Sequence, residues 1–416
     1  MSLKPESARS GSAAPAHYDI AVVGAGIVGA AFALAAARQG LNIAVIEARP
    51  FEIAKESAGS WDQRIFALSP ASLDFLNELG VRARLNTERI CSVYGMEIFG
   101  DAAQDGDGER MRGSHDFAKL EFSAYTACLP ELAQIIEQRQ LQNTLWDMLA
   151  VAPGITVVVG KPDALTRDSG EATLHLVNGV ALHTDLIVAA DGAQSSLRAM
   201  AGFDIDIAPY NQSGLVANFK TSVPHRNIAR QWFRDDGVLA YLPLPGNHIS
   251  IVWSTPTANA TALQAMTAEK LADTVASAGA YVCGALELIG APALYPLNLL
   301  QSRQLIGSRI ALIGDAAHVI HPLAGQGLNL GLQDAQALSA ALAERGPRNC
   351  GDAAVLRGYE RRRREAILSM KVATDGLQKL FNRPEKWVGW LRNRGLGLLN
   401  SLPAVKKRLI RHAAGC

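Results

Sequence analysis

The stretch that decides the fold of this chain is Tyr18-Asp19-Ile20-Ala21-Val22-Val23-Gly24-Ala25-Gly26-Ile27-Val28-Gly29. A short apolar run that ends in glycines is typical of a buried parallel strand. In this G-x-G-x-x-G pattern, Gly24 permits a tight turn, Gly26 lets the backbone approach a pyrophosphate, and Gly29 lets a helix pack closely on the strand. The stretch therefore predicts a strand, a turn and a helix whose positive amino end binds a dinucleotide.

The residues after the glycines complete a βαβ unit. The alanine-rich segment Ile27–Arg38 has the composition of a helix, and Gly40 is placed to end it. Leu41–Ile46 is a second apolar strand, and Glu47 follows it, 18 residues after Gly29, where an acid can hydrogen-bond a ribose hydroxyl. The unit predicts dinucleotide binding, but by itself it does not separate FAD from NAD.

Composition sets the broad class of the protein. The chain has 416 residues, 49% hydrophobic and 19% charged, so it can bury a large core in two or three packed units. The formal net charge of +1 argues against a protein that grips nucleic acid by its phosphates. The five cysteines include no C-x-x-C pair, which predicts neither disulfides nor a metal site and fits a reducing compartment.

The amino terminus and the hydropathy predict a cytoplasmic protein. Residues 1–17 are rich in Ser, Ala and Pro and lack an apolar core, so we interpret them as a disordered tail and not as a signal peptide. No uncharged apolar stretch reaches the roughly 18 residues that a membrane-spanning helix needs. Any membrane contact would then be peripheral, at the inner face.

Two further motifs favour FAD. Ala190–Arg198 reads ADGAQSSLR and follows the apolar run Leu186–Ala190, while Gly314–Asp334 reads GDAAHVIHPLAGQGLNLGLQD and follows Arg309–Ile313. In the second motif, an acid that ends a strand can hold a polyol hydroxyl. A helix that begins near Gly327 can offer its free N–H groups to a flavin ring that becomes anionic on reduction.

The region between these motifs has a different pattern. Short strand-like runs separated by Asp-Asp-Gly and Pro-Gly-Asn turns predict an antiparallel sheet inserted into the nucleotide-binding domain. We therefore predict an α/β fold: a Rossmann-like FAD-binding domain interrupted by an antiparallel-sheet substrate domain, with a helical C-terminus. The predicted boundaries are 18–90, 123–205 and 303–350 for the FAD-binding domain, 91–122 and 206–302 for the substrate domain, and 351–416 for the C-terminal helical region.

With these motifs in place, the sequence resembles the FAD-dependent aromatic hydroxylases built like para-hydroxybenzoate hydroxylase, and among them the ubiquinone-biosynthesis hydroxylases. The resemblance runs from about Tyr18 to the C-terminus. Besides the three motifs above, it rests on Asp62-Gln63-Arg64-Ile65-Phe66-Ala67-Leu68-Ser69, Glu137-Gln138-Arg139-Gln140-Leu141-Gln142, Gly325–Gly331, Tyr359-Glu360-Arg361-Arg362-Arg363 and the segment from Asp375 to Phe381.

The resemblance implies a monooxygenase with non-covalent FAD. It implies hydroxylation of a polyprenylated phenol or quinol ring through a flavin C4a-hydroperoxide, with O2 and with NAD(P)H or another external electron donor. No protein acid or base can be named from the sequence, so the catalytic residues stay open, and the flavin-face backbone near Pro322 is the expected catalytic position. A partner complex of ubiquinone-biosynthesis proteins is a further expectation.

The resemblance also assigns cofactor-binding residues. The glycine turn would hold the pyrophosphate, Glu47 the adenosine ribose, Asp315 the ribityl chain and the backbone after Pro322 the isoalloxazine, while Asp191 would close the site. The complete set is Gly24, Ala25, Gly26, Gly29, Glu47, Arg64, Arg139, Asp191, Asp315, Pro322, Gly327, Leu328 and Asn329.

Several alternatives remain open from the sequence. The chain could hydroxylate a small soluble aromatic compound, or be a non-catalytic quinone-binding member of a biosynthetic complex. His318 and His321 could act in chemistry or only satisfy backbone hydrogen bonds. The run Arg361–Arg364 could be a solvated or packed face or a docking site. The aromatic residues of the inserted sheet could be core or could stack on the substrate, and they are Trp232, Tyr241 and Trp253.

The end of the chain carries a local excess of positive charge. From Arg383 to Cys416 there are eight Lys and Arg residues and one acid, Glu385, interleaved with Trp387, Trp390 and several leucines. This pattern fits either an amphipathic surface on an anionic membrane or partner, or a helix packed on the core.

Overall fold

The fold is mixed α/β, as the sequence predicts. The computed structural model describes residues 17–50, 52, 60–102, 117–168, 170–320, 326–365 and 367. The helices are α1 (Ile27–Ala37), α2 (Pro70–Glu78), α3 (Ala124–Ala127), α4 (Gln138–Val151), α5 (Ser196–Met200), α6 (Thr257–Gln264), α7 (Ala268–Ala278), α8 (Gln326–Ala343) and α9 (353–365).

The first sheet has eight strands around the amino-terminal strand. They are β1 (His17–Val23), β2 (Ile43–Glu47), β8 (Ile155–Val159), β9 (Pro162–Arg167), β10 (Ala172–Leu176), β11 (Ala181–Ala189), β17 (Ile306–Gly307) and β18 (Ile310–Leu312). The order is β17-β18-β11-β1-β2-β8, and β10 and β9 extend from β11 as an antiparallel pair. The pairings of β1 with β2 and β11, and of β11 with β18, are parallel, as alternating strands and helices require.

Helix α1 lies against this sheet and is buried along most of its length. Its side chains are mainly alanine, which lets α1 approach the sheet and pack against α4 and α8. Together these elements form the largest hydrophobic core, in which Ile20, Val22 and Phe32 are fully buried. Since β1 is covered on both faces, it reads as a continuous apolar run and not as an alternating one.

The second sheet is built from long strands. They are β5 (Gly95–Ala102), β6 (Phe117–Ser123), β12 (Ile205–Thr221), β13 (Ile228–Arg234), β14 (Gly237–Leu244), β15 (His248–Pro256), β16 (Leu286–Ser302) and β19 (His318–Val319). The order is β19-β16-β12-β15-β14-β13-β5-β6, and its pairings are antiparallel except that of β13 with β5. The predicted insertion of an antiparallel sheet thus corresponds to β12–β16, although the exact domain boundaries stay a prediction.

One face of the second sheet packs on α6 and α7. Its buried aromatic side chains are 2 to 3% exposed and belong to this core, so they are structural and not substrate-stacking; they are Trp232, Tyr241 and Trp253. At one end, the opposite face is covered by a third sheet of order β3-β7-β4, formed by β3 (Ile65–Leu68), β7 (Ala133–Glu137) and β4 (Cys91–Val93). A small apolar cluster joins these two sheets through Trp61, Ile135 and Leu244.

Candidate flavin site

Three predicted motifs meet at one edge of the first sheet. Val23 at the end of β1 is paired with Ala189 of β11, and Ala189 is paired with Leu312 of β18. Because parallel strands point the same way, the glycine turn, the Asp191 turn and the Gly314–Asp315 turn all lie at the carboxyl edge. In open α/β sheets this edge is where ligands bind.

The glycine turn fits a pyrophosphate. Gly24 has φ +100°, and a Cβ there would lie 2.3 Å from the Ala190 carbonyl oxygen. A Cβ on Gly29 would lie 2.0 Å from the Gly24 carbonyl oxygen, so the turn and α1 are packed by their own backbone. At Gly26, by contrast, a Cβ would meet no described atom within 4 Å. The side of the turn at Gly26 is therefore open for a phosphate, while the other two glycines shape it.

Glu47 lies directly beside the glycine turn. Its Oε2 accepts from the Ala25 N–H at 2.9 Å, and its Oε1 accepts from the Ala48 N–H at 2.9 Å. Two side chains of α4 that were not predicted as site residues bind Ala25 from the other side: Gln142 Nε2 and Trp146 Nε1 donate to its carbonyl oxygen at 2.8 and 3.0 Å. The predicted contact of Glu47 with a ribose stays a prediction.

Asp191 caps the short helix α5. Its Oδ2 accepts from the N–H groups of Ser196 and Leu197, whereas its Oδ1 is buried and has no hydrogen-bond partner in the described part of the chain. Arg198 connects this motif to the next one, because its two terminal nitrogens donate to the carbonyl oxygens of Ala193 and Ala316. The two turns are thus held in a fixed relation.

Asp315 follows Gly314 at this edge. Its side chain reaches solvent on one side, yet protein surrounds it on the others, and this enclosure raises the pKa of its carboxyl. His318 and Arg64 oppose the rise, and Asp334 adds to it. An exposed carboxylate within the electrostatic influence of an arginine is suited to accept hydrogen bonds from a polyol.

The two predicted cofactor arginines are brought together by Asp62. Its Oδ1 accepts from the backbone N–H of Arg64 at 3.2 Å, and its Oδ2 accepts from the backbone N–H of Arg139 at 2.9 Å. The Arg64 guanidinium lies 4.6 Å from the centre of the Tyr295 ring, on the second sheet. The segment around Asp62 therefore joins the third sheet, the start of α4 and the second sheet.

The predicted flavin-ring contacts lie at the start of α8, and the structure describes them only in part. At Gly327 a Cβ would meet no atom of the described residues within 4 Å, and Leu328 is half-buried against the main core. The Asn329 side chain accepts from the Ser69 N–H and donates to the Ala67 carbonyl, so it ties α8 to the end of β3. Pro322 lies outside the described residues.

His318 is a structural residue. It is 4% exposed, and its Nε2 donates to Asp334 Oδ2 at 2.6 Å. A carboxylate can only accept, so this bond assigns the hydrogen to Nε2. His321 lies outside the described residues.

The glycine turn and the acidic strand ends at this edge have the geometry of a dinucleotide-binding site. A family model described as FAD binding domain matches residues 17–372. The chain belongs to this FAD-binding family and is an FAD-dependent monooxygenase.

Its relatives carry consistent names. The chain is 32% identical over 403 residues to the 3-demethoxyubiquinol 3-hydroxylase of Escherichia coli, covering 95% of this chain and 98% of the relative. It is 31% identical to the ubiquinone hydroxylase UbiL of Rhodospirillum rubrum, in an alignment that covers 95% of this chain and 89% of the relative. It shares its fold with PqsL, a probable FAD-dependent monooxygenase from Pseudomonas aeruginosa. The two are 23% identical with a TM-score of 0.70, and the match covers 92% of this chain and 99% of PqsL.

Proposed function

We propose that this protein hydroxylates the aromatic ring of a polyprenylated phenol or quinol in ubiquinone biosynthesis. The family and the names of the relatives support a flavin-dependent hydroxylation that uses O2 and an external reductant such as NAD(P)H. The structural observation that supports the choice of substrate is the chemical character of the second sheet on the side where Arg64 contacts Tyr295.

The middle of that face carries no charged side chain and is half-open. Along β14, Leu239 and Tyr241 are buried against α7, whereas the alternating Val238, Ala240 and Leu242 are half-buried on the opposite side. We call this side the FAD-side face, and its neighbouring members on adjacent strands are Val216, Val252, Ala293, Tyr295 and Leu297. The contact between Arg64, a predicted cofactor-binding residue, and the Tyr295 ring supports placing this face next to the cofactor.

The two arginines of β13 lie on the other side of the sheet. Arg230 pairs with Glu97 at 2.7 Å and lies against Cys283, and Arg234 lies over the Trp253 ring at 5.3 Å. An aromatic carboxylate would need a cation on its binding wall. The valine, alanine and leucine side chains across the middle of this face favour a neutral ring with an apolar tail over a small aromatic acid, and the Arg64 guanidinium lies over the Tyr295 ring on β16.

In this proposal the protein binds and orients the cofactor while the flavin supplies the oxygen chemistry when bound. The turn shaped by Gly24 and Gly29 holds the pyrophosphate on its Gly26 side at the amino end of α1, Glu47 holds the ribose, and Asp315 holds the ribityl chain. The apolar FAD-side face keeps water away from the reacting ring. No described side chain is assigned as a catalytic acid or base.

The function is tested by deleting the gene in a strain without a redundant hydroxylase and identifying the accumulated quinone intermediate by mass spectrometry. We expect a prenylated intermediate that lacks one ring oxygen, restored to ubiquinone by the wild-type gene. An unchanged ubiquinone pool would contradict the proposal. With purified protein, NADH oxidation stimulated by soluble aromatic acids would favour the small-acid hydroxylase, and protein that stays colourless with added FAD would favour a non-catalytic quinone-binding protein.

We also propose peripheral membrane contact through the basic segment 383–416, which lies outside the described residues. Its excess of Lys and Arg together with Trp387 and Trp390 supports binding to an anionic surface. No helix in the described ranges is long and apolar enough to cross a membrane. Full-length protein should co-sediment with anionic liposomes more than a truncation before Arg383 does, whereas equal partitioning of the two would refute the contact.

A further inference from the structure

One arginine on α9 is buried, unlike its neighbours in the run Arg361–Arg364. Arg363 is 4% exposed, and its Nε donates to Asp334 Oδ1 at 2.6 Å. Its two terminal nitrogens donate to the Gln333 side chain and to the Leu330 carbonyl, both at 3.2 Å. The run is thus neither uniformly solvated nor a uniform docking face, because the Arg363 side chain is buried against α8.

Asp334 is fully buried and is shared by three donors. While Oδ1 accepts from Arg363, Oδ2 accepts from the Gly314 N–H at 2.9 Å and from His318 Nε2 at 2.6 Å. Burial acts to raise the pKa of Asp334, but His318, Arg363 and the hydrogen bonds outweigh it and lower that pKa. The carboxylate therefore stays ionised, and it depends on its donors because an uncompensated buried charge is strongly disfavoured.

The donors on the other side of Asp334 lie next to predicted cofactor-binding residues. Gly314 adopts φ +60° and immediately precedes Asp315, the predicted ribityl contact. His318 begins β19, just before the segment 321–325 that contains Pro322. Helix α9 has a second attachment nearby, because the buried Tyr359 hydroxyl donates to the Leu312 carbonyl at the end of β18 at 2.8 Å.

We propose that Arg363 is a positioning residue for FAD: through Asp334 it fixes the Gly314–Asp315 turn and His318. An apolar pair of similar volume could fill the same space at similar stability, since buried ion pairs contribute little net stability. Such a pair would not orient the Gly314 N–H or the His318 ring. The inference rests on FAD binding by the family and not on which ring is hydroxylated.

The experiment compares Arg363→Met and Arg363→Lys with Arg362→Met in the full-length holoenzyme. Arg362 lies next in the chain but is exposed and pairs with the exposed Glu344, so it serves as the matched control. The readouts are the Kd of FAD from fluorescence titration of the deflavinated protein, the flavin midpoint potential, and hydrogen exchange of the peptide that contains Gly314.

We expect Arg363→Met to bind FAD at least about tenfold more weakly, the effect of one charge-assisted hydrogen bond. Its midpoint potential should shift and the Gly314 peptide should exchange faster, while Arg363→Lys recovers part of each change and Arg362→Met changes none. Unchanged affinity and potential in folded Arg363→Met would overturn the proposal. Should that variant not fold, Asp334→Leu/Arg363→Met replaces the buried charge by an apolar pair, and wild-type FAD affinity in that double variant would equally overturn it.

Discussion

Gly29→Ala is expected to destabilise the protein even without its cofactor, by about 3 kcal/mol or more, because the added Cβ overpacks the start of α1. That Cβ would lie 2.0 Å from the Gly24 carbonyl oxygen and 3.0 Å from the Ala190 Cβ. Neither neighbour is the end of a flexible side chain, so β1, α1 or β11 has to move. Since these elements form the largest core, the loss reaches beyond the cofactor site.

Gly26→Ala provides the contrast within the same motif. No described atom lies within 4 Å of a Cβ at Gly26, and the residue is the N-cap of α1 with φ −62°. Alanine is a poorer N-cap than glycine, so we expect the free energy of unfolding of the apoprotein to fall by no more than about 1 kcal/mol. FAD affinity should fall at least about tenfold, because the methyl group occupies the open side of the turn.

The two effects are separated by thermal unfolding of the deflavinated proteins and by FAD titration. Gly358→Ala is the control, because Gly358 lies in α9 and a Cβ there would meet no atom within 4 Å in the part of the chain that the structure describes. That substitution should be neutral or stabilising by up to about 1 kcal/mol. If Gly29→Ala and Gly26→Ala gave the same apoprotein stability, the division between a packing glycine and a phosphate-facing glycine would be wrong.

Glu137→Ala is expected to cost about 3 kcal/mol of stability and to release the segment that carries Arg64. Glu137 is 2% exposed at the start of α4, where both of its oxygens accept from Arg89, at 2.6 and 2.8 Å. It also accepts from the Asp62 N–H at 2.6 Å. Removing one partner of a buried ion pair leaves the other charge uncompensated, which costs about 3 to 5 kcal/mol of stability. Because Arg89 still has limited access to water, we expect a loss near the lower of these values.

Arg89 secures the same segment from its other side. It donates to the Ser60 carbonyl at 2.7 Å and lies 4.5 Å from the centre of the Trp61 ring. From there Asp62 reaches Arg64 and α4, so loss of the ion pair should also weaken FAD binding. The affinity measured below the unfolding temperature should therefore fall together with stability.

A double-mutant cycle with Glu137→Gln and Arg89→Met measures this pair directly. We expect a coupling energy of about 1 to 3 kcal/mol from chemical denaturation. The control is Arg82→Met, since Arg82 and Glu131 form a more exposed pair at 3.8 Å, for which about 1 kcal/mol or less is expected. Equal effects in the two pairs would contradict a special role for the buried one.

Much of the fold follows from local sequence patterns. The apolar run before Gly24, the alanine-rich helix and the turns of the inserted sheet depend on neighbours in the chain, and the structure has them within a few residues of the prediction. The motifs also identified the FAD-binding family. Predicted residues such as Gly26 and Asp315 lie where a cofactor could reach them, but their roles stay predictions.

Other contacts in the site could not be found from local patterns. Gln142, Trp146 and Arg198 support the site with side chains that reach carbonyl oxygens distant in the sequence. Asp334 and Arg363 are 29 residues apart and lie on different helices, so nothing in their immediate sequence indicates that one carboxylate joins α9 to the Gly314 turn. The sequence shows Asp334 in the long motif and Arg363 in the arginine run, but it does not indicate that the two side chains pair.

The sequence by itself determined which segments form strands, turns and helices and that their turns suit an FAD-binding protein, because those properties depend on hydrophobic periodicity, glycine conformation and short-range spacing. Only the tertiary structure decided that β1, β11 and β18 are adjacent, so that three turns separated by up to about 290 residues share one edge. It also decided which charges are buried together. Such pairings depend on long-range packing. The free-energy cost of burying the Asp334 carboxylate is offset by His318 and Arg363, which are distant from it in the sequence.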